Sequence, residues 1–354
     1  MVEHSSGGCP ALRFGVAYDF RNPPDSGKTT PDLYRSVLEQ VQWLDACGLD
    51  LVWFTEHHFV DDGYLPSWIP AASAAAAMTK RVVFSSDICL LPFNNPVRLA
   101  EDLAILDNVS NGRVEIGVGM GYAVHEFDGF GIPIAERVSR TEEGIEVLKR
   151  CFTGERFSYH GKRYQFNGVQ ITPGYVQPQG PPLWVAAMSK PGALRAARHD
   201  THLLPQGSRP EVLDPWRDSL IESDRDPNQY RVGLLKSVFV SDDEAAWERI
   251  RQAERYRMQS YGSFSSTSRF APSNVGATYS DPELISQRWI VGESDQCVEE
   301  LTAFVLQYGF TDIVTWGTPP GIPPEAMNES LERFVMDVAP RVRARVDAAY
   351  SARA

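Results

Sequence analysis

Glu56, His57 and His58 stand directly after an apolar run, Leu51–Phe54. An uninterrupted apolar run of this length reads as an internal strand of a parallel sheet, covered on both faces. Polar groups at the carboxyl end of such a strand occupy the place where parallel α/β folds assemble active sites. The chain has seven histidines in 354 residues, and two of them are adjacent here. A carboxylate and two imidazoles are costly to bury without a purpose, so a functional role is the first reading. A metal centre is disfavoured, because it needs His, Cys or acid ligands converging from several strands and only this strand offers them. Neighbouring side chains in an extended segment also point apart. A serine nucleophile has no elbow: Gly117-Val118-Gly119-Met120-Gly121 is not G-x-S-x-G.

These groups must be held by the surrounding elements. Apolar strand candidates recur at Leu12–Phe20, Leu49–Thr55, Val82–Leu91, Val114–Gly119, Leu183–Ala187, His202–Pro205, Val232–Val240 and Phe310–Trp316. Helical patterns separate most of them. One runs from Thr30, as N-cap with Pro31 at the first turn, to Gly48; another is capped by Asn95 with Pro96 following and Asn111-Gly112 beyond its end. A third covers about Val138–Phe152, and later ones lie near Asp295–Tyr308 and Pro324–Tyr350. Strand–helix alternation means a parallel sheet, and eight units without a glycine-rich dinucleotide fingerprint favour a closed (β/α)8 TIM barrel over a doubly wound open sheet. No linker divides the chain, so residues 1–354 read as one domain. Two insertions interrupt it: a β-hairpin at about 156–176 and a long lid loop at about 260–281, rich in Ser, Gly, Thr, Asn and Pro.

In such a barrel one rim collects the residues that follow the strands. Besides Glu56, His57 and His58 these include Asn95, Gly119, Met120, Tyr122, Met188 and Ser189. The rim is aromatic and small, with little charge, and suits a flat aromatic cofactor beside one base-like cluster. Gly117, Gly119 and Gly121 lie too far from the helix at 138 to form a phosphate loop and read as close-approach or turn positions. Ser189, ahead of Lys190-Pro191-Gly192, can open a helix whose free N–H groups bind an anion, or can simply cap it.

Composition narrows the partners. A net charge of −12 speaks against nucleic acid and anionic membranes, both of which need a basic face. Five scattered cysteines without C-x-x-C spacing read as reduced thiols of a cytoplasmic protein. The polar start Met1–Cys9 has no secretory pattern, and Ala71–Ala77 is too short to cross a bilayer.

The chain resembles the bacterial luciferase-like flavin monooxygenase family. The resemblance is densest at Thr55-Glu56-His57-His58-Phe59, from Leu91-Pro92 through Pro96-Val97-Arg98 to Leu106-Asp107, at Ser110-Asn111-Gly112-Arg113, across Gly117–Gly131, and at Pro182–Ala186. It implies a luciferase-like barrel with reduced FMN lying across the strand ends. The flavin would be diffusible, come from a separate flavin reductase, and react with dioxygen to a hydroperoxide that oxygenates a small organic substrate. By that resemblance His57 is the acid/base, Glu56 and His58 orient it or touch flavin and substrate, and Glu126 matches a carboxylate of the luciferase cleft. Asn95 matches a polar flavin-side position. Where the luciferase catalytic subunit has Cys-Arg after strand four this chain has Gly119-Met120, and Glu-Ser after strand five is replaced by Ala187-Met188. A phosphate-binding arginine is therefore missing, leaving Ser189, backbone amides and Arg137. Relatives dimerise through helices near Ala71–Ala77, which implies a homodimer. The alternatives are a deazaflavin-dependent hydride-transfer enzyme on the same fold and a non-catalytic flavin-binding partner subunit.

Overall fold

The computed structural model describes residues 10–266 and 289–352. Eight parallel strands carry the fold: β1 (Arg13–Tyr18), β2 (Leu51–Phe54), β3 (Val83–Ser86), β4 (Ile116–Gly119), β5 (Leu183–Ala186), β6 (His202–Leu204), β7 (Gly233–Leu235) and β8 (Asp312–Trp316). One arc runs β7-β8-β1-β2-β3 and a second β4-β5-β6. Parallel bridges Phe84–Val114 and Leu203–Val232 join the arcs at both ends. The strands therefore close in chain order into the expected (β/α)8 barrel, which leaves no free edge among them.

Helices pack outside. They are α1 (Thr30–Cys47), α2 (Trp68–Met78), α3 (Pro96–Ser110), α4 (Val124–Gly129), α5 (Arg137–Phe152), α6 (Lys190–Arg198), α7 (Pro210–Ile221), α8 (Glu244–Ser266) and α9 (Ser294–Tyr308). A final helical stretch holds Asn328–Arg333 and Ala339–Ser351 on either side of a π turn at Phe334–Val338. The local signals explain the ends. Asn95 Oδ1 accepts from the N–H groups of Val97 and Arg98, and Asn111 closes α3 at φ 58°. The cap of α1 is Thr29 and not Thr30, because the Thr29 side chain reaches the Asp32 N–H, so the helix already includes Thr30.

Two expected strands break. The one expected over Val82–Leu91 ends at Ser86; a cis peptide joins Asp87 to Ile88, and Cys89–Leu90 then pairs with β4. The one expected over Val232–Val240 leaves the barrel after Leu235. Thr315 Oγ1 there takes the Val238 N–H in place of a ladder carbonyl, and Val238–Val240 pairs with Ile290–Gly292. The hairpin forms from Phe157–His160 and Gln165–Val169, with Glu143 of α5 accepting from the turn amides of Lys162 and Arg163.

The barrel interior is filled by tryptophan. Trp53 and Trp184 meet edge to face at 6.3 Å, and both reach so close to Gly233 that a Cβ there would lie within 2.7 Å of Trp53. Gly117 likewise makes room for the Ser86 carbonyl. Glycines here are a condition of the packing rather than a turn device.

Candidate active site

The carboxyl ends of the strands open into a cavity of about 860 Å3. Of the residues expected there, Glu56, His57, Gly119, Met120, Tyr122, Arg137, Met188 and Ser189 line it. His58, Glu126 and Asn95 are not among its walls. Asn95 is exposed and its oxygen is committed to capping α3, so its sequence placement on the cofactor side is not met. Gly119 does face the cavity, but the space a side chain would need is taken by Ile88, 1.9 Å from an ideal Cβ, and not left open for a ligand.

His57 and His58 diverge, as adjacent residues in an extended segment must. His57 turns to the cavity and its Nδ1 lies 2.8 Å from Glu126 Oε1. That oxygen also accepts the backbone N–H of His58 at 2.9 Å, so it acts as an acceptor and Nδ1 carries the proton. Glu126 comes from α4, a six-residue helix in a stretch expected to be irregular up to 138. Its carboxylate is fully buried, and Oε2 has no partner among the described residues. His58 turns away, its Nε2 3.2 Å from Glu56 Oε1 and its ring among Phe59, Phe93 and Phe130. The Leu90 N–H fixes the same Glu56 oxygen from the far side, at 3.1 Å. Among the described residues no cluster could hold a metal ion.

Sequence reasoning missed the rest of the His57 environment. Tyr64 meets the imidazole edge on at 4.9 Å, Phe264 at 5.0 Å, and Tyr122 and Tyr261 at just under 6 Å. Two of these come from α8, which runs through Ser266 and so occupies the start of the expected lid; residues 267–281 of that lid lie outside the described residues. The signal was the helical spacing of Arg257, Tyr261 and Phe264, masked by serine and glycine around it. Arg21 anchors α8 from the loop after β1: its Nε donates to Asp62 at 2.7 Å, its Nη2 to Ser260 at 2.6 Å, and its guanidinium lies over Tyr64 and Tyr256. Arg257 pairs with Glu254 through Nε and Nη2 and stacks 3.9 Å above Trp316. Burial pushes two acids here up to about 6: Asp19 against the pull of Arg21, and Asp87 against a hydrogen bond from Gln206.

Cationic groups also line the cavity. Ser189 occupies the cap position of α6, yet its hydroxyl makes no capping bond, leaving side chain and first-turn amides available. Arg137 opens α5, and Arg209, which the sequence reading did not single out, opens α7 beside Gly207; both line the cavity. Burial, with Arg195 nearby, lowers the Arg137 pKa. Cationic side chains flanking a helix N-terminus are a suitable donor set for a phosphate.

Comparison with known proteins agrees with this geometry. A family model described as luciferase-like monooxygenase matches residues 12–312. The oxygenase component of a flavin-dependent trigonelline monooxygenase from Acinetobacter baylyi is 24% identical over 93% of this chain and 95% of its own. Among solved structures, the oxygenating constituent of 3,6-diketocamphane monooxygenase from Pseudomonas putida, a complex with FMN, superposes with a TM-score of 0.77 at 19% identity, covering 93% of this chain and 98% of that one. An F420-dependent secondary alcohol dehydrogenase superposes with a TM-score of 0.73 at 19% identity over 94% and 99%. With a barrel closed in chain order, a strand-end cavity and a family match over most of its length, this chain belongs to the luciferase-like monooxygenase family and is an oxidoreductase.

Proposed function

We propose that the protein is a flavin-dependent monooxygenase that takes reduced FMN from a separate reductase and uses dioxygen to oxygenate a small organic substrate. The observation that carries this reading is His57, backed by Glu126, lining a cavity large enough for a flavin that Arg137 and Arg209 also line. The residues present fit the cofactor. Ser189, the first amides of α6, Arg137 and Arg209 would hold its phosphate, and Met120, Tyr122 and Met188 would border its ring. Bound reduced FMN supplies the two electrons that activate dioxygen, one oxygen atom going to substrate and the other to water.

The side chains do the rest. In the neutral ring Glu126 holds the proton on Nδ1 of His57, and Nε2 is then the lone-pair base. His58 and the Leu90 amide fix Glu56 at the same wall. The rings of Tyr64, Tyr261 and Phe264 exclude water from the imidazole.

Among the described residues no helix is long and apolar enough to cross a membrane, and the four described cysteines are free, which supports a cytoplasmic setting. Exposed Met78 of α2 with Ile105 and Val109 of α3 supports a homodimer through these helices.

Mixing the protein with reduced FMN in air-saturated buffer tests the reading. An oxygen-dependent flavin transient and substrate-dependent oxygen uptake are expected. Likeness to the F420-dependent fold keeps deazaflavin hydride transfer as the second reading. Tight deazaflavin binding without an oxygen reaction would establish it, and FMN binding without any turnover would indicate a non-catalytic partner subunit.

A further inference from the structure

The hydrogen bonds around His57 have a direction that constrains what can bind there. The Tyr64 hydroxyl donates to Thr55 Oγ1 at 2.8 Å. A hydroxyl has one proton, so the 2.8 Å contact between Tyr64 and Tyr261 must be donated by Tyr261. The chain thus runs Tyr261 to Tyr64 to Thr55, and ends on the Tyr18 carbonyl, 3.4 Å from Thr55 Oγ1. Tyr261, which lines the cavity, has spent its proton inward and has only lone pairs left to offer. In its neutral form His57 likewise keeps its one ring proton on Nδ1 toward Glu126, which makes Nε2 a second bare acceptor. No described residue donates to either atom, and the two ring centroids lie 5.8 Å apart. A ligand at this wall must bring its own protons.

We propose, on the reading of the protein as a flavin monooxygenase, that its organic substrate is an aromatic ring carrying two neighbouring hydroxyls, one given to His57 Nε2 and the other to Tyr261. Tyr64 and Tyr122, which line the cavity beside His57, provide apolar ring surfaces for it. At His57 the substrate O–H bond breaks heterolytically: the proton passes to Nε2, the electron pair stays on the substrate oxygen, and the imidazolium is balanced by the Glu126 carboxylate. The resulting oxyanion makes the ring electron-rich, which is the state an electrophilic oxygen donor attacks. The Tyr261 bond keeps its proton on the substrate, so only one hydroxyl ionises.

Three coloured probes of similar shape test this: 4-nitrocatechol, 4-nitrophenol and 4-nitroanisole, titrated by their absorbance into the full-length protein at a pH below the pKa of either phenol, so that every hydroxyl keeps its proton. Affinity is expected to fall by at least about fivefold at each loss of a hydroxyl proton. Tyr261→Phe should abolish the catechol-to-phenol step, and His57→Ala the phenol-to-anisole step. Tyr64→Phe is the decisive variant, since Tyr261 stays in place but regains a proton to donate, so the catechol-to-phenol step should vanish there too. Equal affinity for all three probes, at any level, overturns the proposal, as do steps that persist in the variants. FMN affinity, followed by quenching of flavin fluorescence, is read separately. Loss of FMN binding to the wild-type protein would refute the flavin reading while leaving the probe ladder to decide this one.

Discussion

The two ends of the barrel treat buried charge in opposite ways. At the amino-terminal floor, Arg13 bridges Glu115 and Asp312 at 2.8 and 2.6 Å, Arg231 reaches Asp312 at 3.2 Å, and the Trp184 N–H completes Glu115 at 3.0 Å. Burial would raise the Asp312 pKa, but the two guanidinium groups outweigh it and hold the carboxyl below its usual range. At the carboxyl-terminal mouth, Asp19 is just as buried, yet its pKa goes up to about 6, because burial there outweighs Arg21. Among the described residues, one Asp19 oxygen and one Glu126 oxygen have no partner, while no floor acid is left with an orphan. Saturated charge networks lock a structure; unsaturated ones store capacity for a ligand or a proton. Position in the barrel, rather than residue type, decides which role an aspartate takes.

The contrast breaks most visibly at its best-paired acid. Asp312→Ala leaves Arg13 and Arg231 buried without their shared carboxylate and should cost about 3–5 kcal/mol of stability, read by urea unfolding. His57→Ala at the mouth should do the reverse, leaving the melting temperature and FMN affinity near wild type while oxygenation falls about a hundredfold or more. A large loss of stability would mean that the imidazole belongs to the framework. The third test is acid. Burial lowers His202 at the floor to about 4 from 6.5, and its Nδ1 accepts the Arg231 N–H, which a protonated ring cannot do. Only the unfolded chain takes up this proton between pH 6.5 and 4. Stability should therefore be full above 6.5 and fall by on the order of 2–3 kcal/mol toward pH 4, with a shallower fall in His202→Gln. The smallest effect is expected at Asn95→Ala, a loss of about 1 kcal/mol from an uncapped α3 with no change in FMN affinity. A weakened FMN complex would return Asn95 to the cofactor side.

Much of the framework was legible because it is local. The Asn95-Pro96 start and the Gly48 stop are signals read within a turn of chain, and the apolar runs mark all eight barrel strands. The boundaries that failed did so for tertiary reasons. Thr315 diverts the strand after Leu235 by offering a side-chain oxygen from β8, and α8 extends over residues whose own composition favours a loop because Arg21 and Tyr64 hold its inner face. Arg209 went unnoticed since nothing in its neighbourhood announces a cavity.

Periodicity and caps, then, determined the alternation of strands and helices and put Glu56, His57 and His58 at a strand end, since these depend on neighbours a few residues away. Only barrel closure decided that His57 meets Glu126 across 69 positions and that Tyr64 meets Tyr261 across 197. Such pairs rest on ring closure and on the direction each side chain takes from its helix or loop, neither of which a local pattern encodes.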